Sequence, residues 1–315
     1  MHHNWKSLCV LSLSSFVFAA TQPSASHAEL IVDDDGKQCP KADYANLQDA
    51  VDAARAGETL LVCPGFYKGT ITIDKPGLTL RGMAYEMRDR LGDPTQETVL
   101  GGSPEGQPGF AVQADDVAII DFTIQDTGDT GIEVKPKDGG KPISGAWIEG
   151  NRFDTVGDPT VKGTDCAGGR GINFEVTDAV VAISNYITNS CGAGIRLKSS
   201  TGGMLKGNLI DGSRKRPGIA VRGSDGNRIY LNKSYNNREA GISLHSSVDN
   251  AVVKNQMKGN GVPGKPLRPI PGKGSNTDAD DTTNLPLENA PGNKWEGNRC
   301  ITENRKGLCD TDGIR

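Results

Sequence analysis

GINFEV at residues 171–176 is followed by GIRLKS at 194–199, GIAVRG at 218–223 and GISLHS at 241–246, so a Gly-Ile pair opens the same short pattern four times. An asparagine stands fourteen positions after each of these glycines, at Asn185, Asn208, Asn232 and Asn255. Both series advance by 23, 24 and 23 residues. A fixed period of this size is typical of stacked-repeat proteins, because a single unit cannot bury its apolar face without its neighbours.

The repeat has the period of β-strands rather than of helices. Ile172 and Phe174 fall on one side of an extended segment, and Asn173 falls on the other. A second short strand precedes each asparagine, as in NRIYLN at 227–232, which leaves no room for a helix. The asparagines suit turns, since their short amides tolerate left-handed backbone and bond neighbouring backbone groups. Three short strands per unit, joined by such turns, predict an all-β parallel β-helix in which stacked asparagines can also bond one another.

An amphipathic segment near the N-terminus predicts a capping helix over residues 46–56. In NLQDAVDAARAG, apolar side chains share one helical face and the pattern stops at Gly57. A β-helix needs such a plug because its terminal rung otherwise exposes apolar core. The short alternating runs that come next, including GLTLRG at 77–82, are predicted to be the first rungs.

Three further strings flank the repeats: VDDDGKQCP at 32–40, AGETLLVCPGFYKGTITI at 56–73 and NKWEGNRCITENRKGLCD at 293–310. Together with the helical segment, they resemble secreted bacterial β-helix proteins of the pectate-lyase-like and NosD-like families. The resemblance implies a single-stranded, right-handed parallel β-helix of the pectin-lyase type with an N-terminal capping helix. It implies shape more than activity, because this fold hosts lyases, epimerases, hydrolases and non-catalytic modules.

The first residues predict export. Lys6 precedes an apolar run from Leu8 to Ala20, and Ser26 and Ala28 supply small residues for cleavage, so residues 1–28 are expected to be a signal peptide. The mature protein is then secreted or periplasmic, with no membrane span. An even number of cysteines follows, which suits disulfides in an oxidising compartment: Cys39, Cys63, Cys166, Cys191, Cys300 and Cys309. Cys166 and Cys191 precede successive rung starts, which predicts that they pair with each other.

Residues 29–315 are expected to form one β-helix domain in a monomeric protein, since a solenoid grows along one axis without a larger core. A long loop is predicted over residues 152–170, and an irregular Pro-, Gly- and Asp-rich excursion over 261–294. The last segment, 295–315, is expected to be a C-terminal end closed by a disulfide.

Charge distribution gives the main functional indication. The chain has a net charge of −4, yet residues 194–238 hold ten Lys or Arg against two Asp, a local excess of eight positive charges. Because the fifth residue of each rung points outward, one exposed column is expected to contain Lys135, Glu175, Lys198, Arg222 and His245. Like charges side by side repel unless an anion lies between them. The column indicates an anionic partner, and the alternative is that these charges only keep a polar face soluble.

An extended uronate-bearing polysaccharide suits this column, since two rungs span roughly 10 Å, comparable to a disaccharide repeat. As an enzyme, the protein would favour β-elimination, in which cations neutralise the uronate carboxylate and a base removes the adjacent proton. The candidate catalytic residues are Lys198, Arg222 and His245. The candidate substrate-binding residues are Arg196, Glu175, Lys135 and Asn173.

Other functions have less support. A glycoside hydrolase needs paired carboxylates, which would require Asp154, Asp158 or Asp165 to approach Glu133 and Glu175 from the long loop. A non-catalytic cell-envelope or NosD-like accessory module stays an alternative. No nucleic-acid partner is expected, because the exported chain carries few aromatic residues in its basic zone.

No metal site is assigned from the sequence. The oxygen-rich strings Asp33–Asp35 and Asp278–Asp281 leave a calcium cofactor open, but neither has the spacing of a known calcium loop. Copper would need clustered His, Met or Cys, whereas Met204, His245 and Met257 are scattered.

Overall fold

The computed structural model describes residues 29–83, 92–157, 168–261, 277–282, 292–303 and 306–310. Over these residues the chain coils through three long parallel sheets of ten, eight and eight strands, and two very short strands form a fourth, small sheet. Strands one coil apart pair side by side, so each coil is one rung of a three-sided stack. The predicted all-β parallel β-helix is confirmed. Parallel strands joined by crossovers are overwhelmingly right-handed, which is the sense expected for this coil.

The strands distribute regularly among the sheets. The first sheet contains β1 (Leu30–Val32), β2 (Thr59–Val62), β5 (Thr79–Gly82), β8 (Ala118–Ile120), β12 (Trp147–Glu149), β16 (Val181–Ile183), β19 (Met204–Lys206), β22 (Arg228–Tyr230), β25 (Ala251–Val253) and β28 (Lys294–Glu296). The second contains β4 (Ile71–Ile73), β7 (Phe110–Val112), β10 (Ile132–Val134), β14 (Ile172–Glu175), β18 (Ile195–Lys198), β21 (Ile219–Arg222), β24 (Ile242–His245) and β27 (Ala279–Asp281). The third contains β3 (Gly65–Lys68), β6 (Thr98–Gly101), β9 (Thr123–Gln125), β13 (Arg152–Asp154), β17 (Tyr186–Thr188), β20 (Leu209–Asp211), β23 (Lys233–Tyr235) and β26 (Gln256–Lys258). The small sheet pairs β11 (Ile143–Ser144) with β15 (Thr177–Asp178).

Inward-facing side chains stack in register from rung to rung and form the core. Ile172, Ile195 and Ile219 pair across three neighbouring strands of the second sheet, and all three are fully buried. Full burial of an aliphatic side chain of this size contributes about 1.5–3 kcal/mol. The repeated Ile of the Gly-Ile pair is therefore a core position.

The glycine of each Gly-Ile pair is required by the close approach of successive rungs. A Cβ atom on Gly194 would lie 2.4 Å from Ile210 Cγ2 and 2.9 Å from the carbonyl oxygen of Gly218 in the next rung. Contacts this short cannot be accommodated without moving the neighbouring rung. Only a hydrogen atom fits at this position, which explains why the glycine recurs.

The repeated asparagines form a ladder along one corner of the coil. Each is buried, and the ladder comprises Asn151, Asn185, Asn208, Asn232, Asn255 and Asn298. Asn208 Oδ1 accepts from both the backbone N–H and the Nδ2 of Asn185, each at 3.0 Å. Its own Nδ2 donates to Ala182 O and to Asn232 Oδ1, each at 2.9 Å. These amides satisfy backbone groups at the turn, so the interpretation of the asparagines as turn residues that bond one another is confirmed.

A helix lies where the N-terminal segment predicts one, but it is shorter. α1 runs over Leu47–Ala53, and the side chain of Asn46 caps it by accepting from the backbone of Gln48 and Asp49. Leu47, Ala50 and Val51 are buried in the same core as the first rungs. A three-residue 3₁₀ turn at Lys137–Gly139 is the other described helical segment. That α1 closes the end of the coil stays a prediction.

Two predicted irregular segments contain strands. The segment 152–170 was expected to be a loop, but its first three residues form β13. In this strand Phe153 points inward and is fully buried. The excursion predicted over 261–294 contains β27, which pairs with β24 although it reads Ala-Asp-Asp. Buried carboxylates are tolerated there because they accept hydrogen bonds: Ser243 donates to Asp280 at 2.9 Å, and the Trp295 indole donates to Asp281 at 3.1 Å. The predicted C-terminal segment, 295–315, begins one residue too late, because β28 starts at Lys294.

The disulfides agree with the predicted use of cysteine. Cys39 bonds Cys63, which ties the segment before α1 to the strand after it, and Cys300 bonds Cys309 across the C-terminal loop. Cys191 is also disulfide-bonded. Its predicted partner Cys166 lies outside the described residues, as does the predicted signal peptide 1–28.

Asn208→Ala is expected to lower the free energy of unfolding by about 3 kcal/mol, because it leaves buried amide and carbonyl groups of two rungs without partners. Asn236→Gly is the matched control, since Asn236 is exposed and has a φ of 51° that glycine adopts freely. Denaturant unfolding of the two variants measures the difference. Equal stability losses would contradict a structural role for the ladder.

Candidate functional site

The outward face of the second sheet carries two stacked columns of side chains. Counting from the first residue of each rung, the third-position column contains Glu133, Asn173, Arg196, Ala220, Ser243 and Asp280. The fifth-position column contains Lys135, Glu175, Lys198, Arg222, His245 and Thr282. The structure thus brings every candidate catalytic and substrate-binding residue onto one face.

Glu175 neutralises much of the charge that the sequence leaves unpaired. Its carboxylate lies 2.5 Å from Arg196 Nη2, 2.9 Å from Lys198 Nζ and 3.9 Å from Lys135 Nζ. Burial works to raise the pKa of Glu175, but the hydrogen bond from Lys198 and the nearby positive charges outweigh it and lower the pKa. Lys198 therefore has an anion beside it within the protein.

Asn173 positions an arginine rather than facing a ligand. It is fully buried, its Oδ1 accepts from Arg196 Nε at 2.7 Å, and its Nδ2 donates to Glu133 at 3.0 Å. A side chain with no accessible surface cannot contact a polymer on this face. The predicted substrate-binding role of Asn173 becomes a supporting one.

Three arginines act on one another's charge on this side of the coil and are called the arginine cluster: Arg170, Arg196 and Arg222. Burial lowers the pKa of Arg196 to about 10, and the neighbouring Arg170 adds to the effect. Burial also lowers the pKa of Arg170, while Asp129, Glu133 and Glu175 act in the opposite direction and Arg222 adds to the lowering. Three partly desolvated guanidinium groups that repel one another are stabilised by an added anion.

Two members of the arginine cluster are poised for such an anion. Within the described chain, neither Arg170 nor Arg222 has a side-chain hydrogen bond or an ion pair at contact distance. Ala220 stands between Arg196 and Ser243 in the third-position column, so no long side chain fills that place. The cluster can therefore offer two guanidinium groups to a carboxylate, each through a planar pair of N–H donors.

The C-terminal end of this face holds a carboxyl group of different character. Burial raises the pKa of Glu239, although Arg216 and Arg222 partly offset the effect. Arg216 Nη1 lies 3.4 Å from Glu239 Oε1, and the buried Oε2 has no hydrogen-bond partner in the described part of the chain. His245 Nδ1 lies 3.0 Å from Thr282 Oγ1. A carboxyl group that keeps its proton closer to neutral pH can serve as an acid or base.

Sequence reasoning missed Arg170 and Glu239. Both lie in the turn before a rung, one and two residues ahead of its glycine, and not within the alternating strand. The alternation that identifies outward strand positions does not extend into the turns. Only their positions one and two residues before Gly171 and Gly241 could have indicated that they lie beside this face.

Part of the basic zone does not lie on this face. Lys206 and Arg228 are on the first sheet, and Lys233 is on the third. Asp154, which the hydrolase alternative needs beside Glu175, is also on the third sheet, in β13. Asp158 and Asp165 lie outside the described residues. The local excess of positive charge is therefore divided among the three sheets.

Comparison with known proteins identifies a family. A family model described as "Periplasmic copper-binding protein (NosD)" matches residues 111–268, half of the chain. The chain belongs to the NosD family. No curated protein matches the chain.

Solved structures similar to this NosD family member are distant. They include an alginate lyase, AlyF-OU02, in complex with G6, at 13% identity and a TM-score of 0.43, covering 79% of this chain and 58% of the other. The periplasmic alginate epimerase AlgG shows 14% identity and a TM-score of 0.33 over 82% and 83% of the two chains. The Geobacillus virus E2 ORF18 protein shows 12% identity and a TM-score of 0.33, over 68% and 55%. The chain thus spans little more than half of the viral protein and of the lyase, and these similarities carry no inference about activity.

The described residues do not fit a copper site. Copper prefers imidazole, thioether and thiolate ligands. The described part of this NosD family member contains two groups of three His, Cys, Asp or Glu side chains that lie close enough together to hold a metal ion, and both include Asp33. One includes Cys39 and Cys63, which are bonded to each other, and the other is Asp33 with Asp34 and Asp35. Disulfide sulfur and carboxylates, of which Asp34 and Asp35 are exposed, are poor copper ligands, so no copper chemistry is derived for this chain.

The acidic strings have other roles as well. Asp33 accepts hydrogen bonds from the backbone N–H groups of Asp35, Gly36 and Cys39, and Asp34 accepts from Phe66 N. Asp278 accepts from Asn260, Ile301 and Thr302. Backbone hydrogen bonds therefore account for these carboxylates, and no calcium site is assigned. No helix in the described chain is both long and apolar enough to cross a membrane.

Glu175→Gln is expected to lower the free energy of unfolding at neutral pH by about 1 kcal/mol or less, because the three cations then lose their shared anion. The folded-state pKa of Glu175 lies below its ordinary value of 4.5, so the stabilisation is present above pH 4.5 and is lost as the pH falls through the folded-state pKa. Urea unfolding across this range, with the exposed Glu105→Gln as control, tests it. A difference that persists in strong acid would contradict the ion-pair origin.

Proposed function

We propose that this NosD family protein binds an anionic, uronate-bearing polysaccharide in the periplasm, along the second sheet. The observation that carries the proposal is the arginine cluster, Arg170, Arg196 and Arg222, in which two guanidinium groups have no side-chain partner within the described chain. The family description and the disulfides support a periplasmic location, because disulfides persist in oxidising compartments.

The dimensions of the face favour a linear polymer over a small anion. Rungs repeat about every 4.8 Å, so polar groups recur along the coil axis at intervals that match an extended chain of sugars. Lys198 lies on the same rung as Arg196, and Lys135, on the rung before Arg170, extends the positive charge beyond the arginine cluster toward one end. A polymer with one carboxylate per sugar would meet a cation at each of four successive rungs, those of Lys135, Arg170, Arg196 and Arg222.

Proton chemistry on the bound polymer is the second candidate function. Burial raises the pKa of Glu239, and the positive charge of Arg222 lowers it. The two side chains therefore belong to the same region of the face. In β-elimination, a base removes the proton next to the carboxylate, a carbon–carbon double bond forms, and the bond to the leaving sugar oxygen breaks as an acid protonates that oxygen. Arg222 would neutralise the carboxylate, while Glu239 and His245 are the titratable groups available for proton transfer.

Binding is tested with a panel of uronate polysaccharides on the mature protein. Arg170→Ala combined with Arg222→Ala is expected to weaken binding by at least about tenfold, which corresponds to about 1.4 kcal/mol. The matched control is Lys233→Ala combined with Lys258→Ala, which removes two exposed positive charges from the third sheet. Calorimetry or affinity electrophoresis at two salt concentrations gives the comparison.

The possible outcomes are distinct. Loss of binding in the arginine variant alone supports the second sheet as the site, and equal loss in both variants would reduce the effect to net charge. Appearance of absorbance from an unsaturated product, abolished in Glu239→Gln while binding is retained, would establish a lyase. Binding without product makes the protein a non-catalytic module, and absence of all binding overturns the proposal.

A further inference from the structure

The first sheet has an outward face of a different character from the other two. Two columns of outward side chains run along it, and over six consecutive strands most of them are apolar: Ala118, Ile120, Trp147, Val181, Ile183, Met204, Tyr230, Ala251 and Val253. None of them is buried, and Trp147 is 37% exposed. The outward residues of the third sheet are mainly polar or charged, as in Arg152 and Asp154 of β13.

The sequences of these strands show that the pattern is built in. β8 reads Ala-Ile-Ile, β16 reads Val-Ala-Ile and β25 reads Ala-Val-Val, so apolar residues occupy inward and outward positions alike. A parallel strand that faces solvent on one side alternates polar and apolar residues, whereas strands buried on both faces are apolar throughout. These strands therefore have the composition of strands with both faces covered.

We propose that the first sheet is an interface between two copies of this chain, in place of the monomer expected from the sequence. The two sheets would pack face to face about a twofold axis that runs parallel to the strands and passes between the β16 strands of the two copies. Such an axis places the rungs of the two copies in opposite order. Each column of outward side chains then faces the same column of the second copy. It therefore fixes which side chains meet.

Charge complementarity favours this arrangement over the other twofold packing of the same face. With β16 facing β16, the strand before it faces the strand after it, so Trp147 lies opposite Met204 and Glu149 lies opposite Lys206 of the second copy. A thioether against an aromatic ring and a carboxylate against an ammonium are both favourable contacts. The opposite arrangement, with the axis along the coil, would place Lys206 against Met204 and leave Glu149 against Trp147.

The area of the face sets the strength of the association. With the axis at β16, nine of the ten strands overlap; at about 4.8 Å per strand and about 10 Å in length, they give roughly 430 Å² per copy and about 900 Å² in total. This is at the low end for specific interfaces, so the dimer is expected to be reversible. The second sheet is a separate face of the coil and is left open, so the arginine cluster is accessible in both copies.

The test is a charge exchange followed by sedimentation velocity over a series of protein concentrations. Glu149→Lys alone and Lys206→Glu alone are each expected to weaken dimerisation by about tenfold or more, because like charges then face each other across the interface. Combining the two substitutions is expected to restore it. Within one chain the double exchange removes both the hydrogen bond from Trp147 Nε1 to Glu149 and the contact of Lys206 with the Tyr230 ring, so a restored dimer cannot be due to contacts within one copy.

Two further variants keep the result decisive. Ile183→Arg, on the proposed axis, is expected to abolish dimerisation, whereas Leu209→Arg, an outward position of the third sheet, is expected to leave it unchanged. Circular dichroism checks that each variant keeps its β structure. A wild-type protein that stays monomeric throughout the series, or a dimer that ignores the charge exchange, would overturn the proposal.

Discussion

The fixed spacing of parallel strands, about 4.8 Å from rung to rung, is the constraint on which the rest of this structure depends. It is held by backbone ladders and by two sequence devices at the corners. Gly194 and its equivalents let one rung approach the carbonyl of the next, and asparagines such as Asn208 bond the amide and carbonyl groups of the turn. These devices act on every rung, which is why the same two residues recur at the same period.

Stacking at fixed spacing turns each strand position into a column, and each column must satisfy the chemistry of its neighbours. On the second sheet, Glu175 resolves the repulsion among Arg196, Lys198 and Lys135. No such carboxylate lies at contact distance from Arg170 and Arg222 within the described chain. The difference separates charges that maintain the fold from charges that remain available for an anion.

The sequence predicted the periodic features well because the period is itself the fold. The strands, the register of the column from Lys135 to His245 and the asparagine ladder all follow from counting residues between glycines. The features outside the period were missed. β27 was predicted to be irregular because it lies in a Pro-, Gly- and Asp-rich segment, and hydrogen bonds from Ser243 and Trp295 allow it to form. Arg170 and Glu239 were missed because they stand in turns, where alternation gives no orientation.

Chemical modification of arginine side chains tests most directly whether a polysaccharide binds to the second sheet. Phenylglyoxal treatment of the mature protein, with and without a uronate polysaccharide, followed by mass spectrometry, reports the accessibility of each arginine. The polysaccharide is predicted to protect Arg170 and Arg222 and to leave the exposed Arg299 as reactive as before. Equal modification of Arg170 and Arg222 with and without polymer, at concentrations where the polymer binds, would contradict the assignment of the second sheet as the binding face.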